Sequence, residues 1–114
     1  MNRKTLTDND AAIFATRDED HFFDRKALMA SGKIVQKIAV AFANADGGEF
    51  VVGVADVEDE PKPDNRWKGA ARIEDFNGHI QALSEIKPPL PAEFSILDAP
   101  GRDGLVLLVR TGGI

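Results

Sequence analysis

The apolar and polar positions of this chain change period several times, and each change marks an element. Across Phe22-Phe23-Asp24-Arg25-Lys26-Ala27-Leu28 the period is two, which sets Phe22, Asp24, Lys26 and Leu28 on one side of a strand. An acidic cluster precedes this run and Ser31-Gly32 closes it. From Ser31 the period lengthens. Ile34, Ile38, Ala41 and Ala45, flanked by Val35, Ala39 and Phe42, make the broad apolar stripe of an amphipathic helix. Ser31 suits the N-cap, and Gly47-Gly48 supplies a left-handed stop after Asn44. Phe50 to Ala55 is then apolar almost without interruption, the pattern of a strand covered on both faces.

The remaining pattern is coarser. Residues 56–68 form an acidic loop containing proline. Ile73, Phe76, Ile80 and Leu83 fall at helical spacing, and this second helix must stop before Pro88-Pro89, because proline excludes the helical conformation from the residue ahead of it. Ala92 to Leu97 and Leu105 to Arg110 are strands, joined through the tight segment Ala99-Pro100-Gly101-Arg102-Asp103-Gly104. Residues 1–18 are polar apart from Ala11-Ala12-Ile13-Phe14, which suits either a short helix or a docking arm. The expected architecture is one α/β domain over residues 1–114. It has a mixed sheet and two principal helices, in the order β-α-β-α-β-β. The sequence stops at Thr111-Gly112-Gly113-Ile114, directly after a strand, and so reads as the N-terminal part of a longer protein, with a C-terminal effector domain or a partner chain beyond it.

Composition narrows the chemistry. The 114 residues, 43% hydrophobic and 29% charged, suit a single globular domain. The chain has no cysteine, so disulfides, thiol catalysis and thiolate metal sites are excluded, and a reducing, cytoplasmic setting is expected. No apolar run approaches the ~20 residues that span a bilayer, so no membrane role is expected, and the polar N-terminus carries no export signal. The net charge of −5 argues against a general electrostatic clamp on phosphates, which needs a basic face. Contact with nucleic acid would have to use a small site, metal ions or a partner.

Several catalytic patterns fail. Around Gly32-Lys33 a phosphate-binding loop would need glycine where Ala27 stands and a hydroxyl where Ile34 stands. His21 and His79 have no partner at metal-ligand spacing. No serine sits on a nucleophile elbow. Arg66-Trp67-Lys68 could stack a base between two cations, or the indole could pin the long loop to the body of the domain.

What remains is a set of carboxylates. Glu19 lies ahead of the first strand, Asp24 within it, and Asp56 just after the buried strand. Asp56 shares the parity of Phe50, Val52 and Val54, so it should leave the sheet on their face. If the two strands are neighbours, the three acids converge at one sheet edge. Such oxygens suit octahedral Mg²⁺ or Mn²⁺, and Lys26 could offset charge on a phosphate. The plain alternative is that these are solvated surface charges.

The stretch from Ile38 to Asp56, with Ala41-Phe42-Ala43-Asn44-Ala45-Asp46-Gly47-Gly48 closing the helix and Val52-Gly53-Val54 in the strand, resembles the Schlafen/AlbA-like family. Upstream, Glu19 and Asp24-Arg25-Lys26 fall at the spacing of that family's E-x-x-x-x-E-F-K, and Ile80 to Pro89 is similar to its second helix and proline pair. The resemblance covers roughly residues 17–110. It implies the α/β fold above and a metal-dependent, RNA-cleaving triad carried by Glu19, Asp24 and Asp56. The chain departs from the pattern in four places: Asp24 for glutamate, Arg25 for an apolar residue, Ala45 for threonine and Ala55 for an acid.

The expected function is divalent-metal-dependent cleavage of RNA or single-stranded DNA in a bacterial, cytoplasmic setting, with Glu19, Asp24 and Asp56 as metal ligands. Lys26 completes the catalytic set, and Arg25, Arg66, Trp67 and Lys68 contact nucleic acid. The alternative is a non-catalytic nucleic-acid-binding or sensing module that serves a separate effector. A third reading, a structural assembly domain, predicts a homo-oligomer.

Overall fold

In the computed structural model, which describes residues 1–113, the chain runs β1 (Asn2–Thr5), α1 (Asp8–Thr16), β2 (Phe23–Lys26), α2 (Gly32–Asn44), β3 (Gly47–Val52), α3 (Asn77–Ser84), β4 (Ala92–Asp98) and β5 (Val106–Gly112). Short 3-10 turns at Pro63–Asn65 and Ile73–Phe76 lie between β3 and α3. The sheet order is β1-β4-β5-β3-β2. β5 runs antiparallel to both of its neighbours, and each edge strand lies parallel to the strand inside it. The parallel pair β2 and β3 needs a crossover, and α2 provides it. The expected mixed α/β sheet is therefore present.

The expected order lacked β1. Asn2-Arg3-Lys4-Thr5 is exposed throughout and shows no alternation, so only backbone pairing with β4 makes it a strand. Of the two readings for residues 1–18, the helix forms: Thr7 caps α1 by accepting from the Asp10 N–H at 3.1 Å, and Asp8 and Asp10 sit in its first turn. The stretch expected as one helix from Ile73 is a 3-10 turn followed by α3.

Local chemistry explains the strongest elements. The Ser31 hydroxyl accepts from the Ile34 N–H at 3.2 Å and starts α2, which buries Val35, Ala39, Phe42 and Ala43. The chain leaves α2 through Asp46 at φ 70° and Gly47 at φ 100°. The left-handed turn thus uses an aspartate and the first glycine of the pair. A Cβ on Gly47 would lie 2.7 Å from the Thr111 carbonyl oxygen.

Strand β3 feeds two cores. Phe50 and Val52 pack with α2, α3, Ile96, Leu107 and Val109. Val51 points the other way, to Ala11 and Ala15 of α1, Phe23, Trp67, Leu97 and Leu108. Val54 joins Val51 rather than Phe50 and Val52, because Gly53 at φ 116° resets the alternation. The parity argument that sent Asp56 out on the Phe50 face therefore fails. Beyond Gly53, residues 56–65 leave the sheet as a loop whose neck is the Val54–Trp67 bridge and the Ala55 N–H bond to the Arg66 carbonyl at 2.8 Å.

Candidate nucleic-acid interface

Helix α1 ends without a basic residue in its own last turn, leaving carbonyl acceptors at the negative end of its dipole. Two arginines from elsewhere fill this role. Arg25, on β2, donates Nε to the Phe14 carbonyl at 3.0 Å and Nη2 to the Arg17 carbonyl. Arg66, at the loop neck, donates Nη1 to the Ala15 carbonyl at 2.6 Å. Its Nε and Nη2 reach the carbonyls of Glu60 and Pro61 at 2.8 and 3.1 Å. Both arginines are buried, with 3% and 6% exposure, and every one of these bonds ends on a backbone carbonyl rather than a carboxylate. Burial first, and then the charge of Arg66, lower the pKa of Arg25, while Asp24, Asp56 and Asp18 act in the opposite sense.

A third arginine completes the cluster. The Arg17 guanidinium lies 4.5 Å from the Phe23 ring centre, with Arg25 5.0 Å from the same ring. Arg17 Nη1 meets Glu49 Oε1 at 2.9 Å, and the other oxygen of Glu49 holds Arg110 at 2.8 Å. Arg17, Asp18, Glu19, Arg25, Val57 and Arg66 line an open groove of about 620 Å³.

The predicted carboxylates divide. Glu19 Oε2 and Asp24 Oδ1 both accept from the Arg25 backbone N–H, at 3.2 and 2.8 Å, on the open side of the edge strand β2. Asp24 Oδ2 also lies 3.5 Å from Lys26 Nζ. Asp56 is engaged elsewhere: its Oδ1 accepts from the N–H groups of Glu58 and Asp59, both at 3.0 Å, in an Asx turn. Among the described residues no group of three His, Cys, Asp or Glu side chains is placed to hold a metal ion. Of the expected ligand set, Glu19 and Asp24 meet at one N–H while Asp56 is held in its own turn, so the three are not gathered into one group. The physical reason is local: two of the acids satisfy an edge-strand donor and the third closes its own turn.

The basic positions divide as well. Arg25 and Arg66 face the groove, but Trp67 does not stack outward. Its indole is buried at 3% exposure and donates Nε1–H to the Gly104 carbonyl at 3.0 Å, so it pins the loop, and the base-stacking expectation is corrected. Lys68 is exposed and sits 3.7 Å from Glu60. His79 is buried against Phe76, with Nε2 2.8 Å from the Ala30 carbonyl, far from this groove in role and partners.

A profile of the family described as Schlafen, AlbA_2 matches residues 19–112. The chain belongs to that family. Among curated proteins, nothing matches the chain. Membership of the Schlafen AlbA_2 family associates the chain with nucleic acid. The matched span begins at Glu19, so it takes in β2, α2 and the loop neck but none of α1, whose end with Arg17 forms one wall of the groove. Arg17, which that wall contributes, escaped sequence reasoning. The available signal was Arg25, a charge at the inward parity of Phe23, which requires acceptors or anions nearby. No helix among the described residues is long and apolar enough to cross a membrane.

Proposed function

We propose that this AlbA_2 family member is a nucleic-acid-binding module that engages RNA or single-stranded DNA at the groove between the end of α1, β2 and the loop neck. The observation that supports this reading is the convergence of Arg17, Arg25 and Arg66 on one opening in a chain of net charge −5. Guanidinium groups held in place by backbone carbonyls are preorganised donors of positive field, and Arg is the residue that matches phosphate geometry. In this reading the module delivers nucleic acid to an effector domain or partner chain. Metal-dependent RNA cleavage by Glu19, Asp24 and Asp56 is the second reading, favoured by the meeting of Glu19 and Asp24 on one N–H.

One experiment separates the two. Labelled RNA and single-stranded DNA are titrated with the protein in Mn²⁺ and in chelator, with affinity read by anisotropy and integrity by gel. The binding reading expects similar affinity in both buffers and intact nucleic acid. Cleavage that requires Mn²⁺ and disappears in Asp24→Ala would replace it with the second reading. Absence of binding in every arm would remove both.

A further inference from the structure

We infer that the arginine groove takes a single phosphate monoester, the phosphorylated end of a nucleic-acid strand, rather than the interior of a strand. This inference rests on the binding reading above and narrows its ligand.

The first ground is the charge at the floor. Arg25 and Arg66 lie close enough to repel, and neither is bonded to a carboxylate. The end of α1 offsets them with about half an elementary charge, and Asp24, Asp56 and Asp18 act on Arg25 in the same sense without bonding its guanidinium. A phosphate monoester near neutral pH carries about −1.5 to −2, with its second pKa near 6, and so gains more from two adjacent guanidinium groups than a diester with about one charge.

The second ground is the rim. Asp18 and Glu19 line the opening, and the loop beside it carries Asp56, Glu58, Asp59 and Glu60. A strand threaded through the groove would press its other phosphates against these acids. A strand that enters by its end brings only one phosphate past them. The domain's overall charge acts in the same direction.

The third ground is an available fork. Arg17 spends only Nη1 on Glu49, and among the described residues its Nε and Nη2 make no hydrogen bond. Its side chain is partly exposed, at 36%, so it can close over an anion whose charge the two buried arginines hold from below.

The test uses wild-type protein and Arg17→Gln, a change at a partly exposed position that leaves the buried pair in place. Three fluorescent oligoribonucleotides of one sequence are titrated at low salt, with a 5′-phosphate, a 3′-phosphate or both ends hydroxyl, and inorganic phosphate should compete with whichever phosphorylated form binds more tightly. One phosphorylated end should bind about tenfold more tightly than the hydroxyl form, and the two phosphate arms identify which end. Arg17→Gln should erase most of that advantage, weakening the phosphorylated ligand about tenfold more than the hydroxyl-ended one. The advantage should shrink as pH falls through about 6, where the monoester loses a charge. Its salt dependence should be shallow, with a log–log slope no steeper than about −2, as expected for release of one to three counterions from a single strand. Equal binding of phosphorylated and hydroxyl ends would overturn the inference and leave the binding module standing. A phosphate preference that survives Arg17→Gln would overturn the assignment to this groove. No binding of any oligonucleotide would remove the inference together with the reading beneath it.

Discussion

The two faces of the sheet solve the same problem with different material. The face under α2 and α3 is closed mainly by apolar side chains, from Val35, Ala39 and Phe42 through Phe76 and Leu83 to Ile96, Leu107 and Val109, with His79 of α3 the buried polar group beside Phe76. The opposite face has thinner cover: α1 contributes only Ala11 and Ala15 as buried residues, and Trp67 comes from a loop. Where that cover runs out, at the end of α1, two arginines enter the interior and tie helix and loop to the sheet edge. A weak hydrophobic seal can thus be completed by charge, provided that each buried donor finds an acceptor. It also leaves positive field at a surface opening, which an all-apolar seal cannot do.

The largest loss of stability is expected at the centre of the closed face. Phe50→Ala should destabilise the domain by about 3–5 kcal/mol, read from the denaturant midpoint, because the fully buried ring packs among apolar side chains and its loss leaves a cavity. A loss below about 1 kcal/mol would show that the closed face does not carry the fold. On the open face, Arg66→Ala strands three carbonyls and should cost about 2–4 kcal/mol. Arg66→Lys should recover less than half of that, since an ammonium cannot reproduce a planar fork reaching three carbonyls. Full rescue by lysine would mean that charge, and not geometry, is what the site needs.

Smaller effects sharpen the contrast at the borders between the faces. Gly47→Val places a β-branched side chain at φ 100° against the Thr111 carbonyl and should cost about 2 kcal/mol by thermal melt. Ser31→Ala removes the α2 cap and should cost about 1 kcal/mol, with Ser31→Asp restoring most of it. Glu49→Gln should change stability by less than about 1 kcal/mol, because the pairs to Arg17 and Arg110 are partly exposed, and the difference should vanish in high salt.

The sequence by itself determined the closed face. Helix α2, its Ser31 cap, the left-handed exit near Gly47, the continuous apolar run of β3 and the hairpin of β4 and β5 were all legible, because each is specified by residues close in the chain. The family pattern lies in the same stretch, and for the same reason it identified the fold correctly. Only the tertiary structure decided the rest. Strand β1 exists through pairing with β4, some ninety residues away, and its polar residues give no local sign of it. Gly53 looked like a small residue in a strand, yet its positive φ inverts the parity of all that follows and releases Asp56 into its own turn. The three acids could be aligned by spacing, but spacing does not record that an edge strand leaves a donor open, and Glu19 and Asp24 go to that donor. The arginine groove is the clearest case. Arg17, Arg25 and Arg66 come from a helix end, a strand and a loop neck, and it is the orphan carbonyls of α1, a consequence of where the helix stops in space, that bring two of them together.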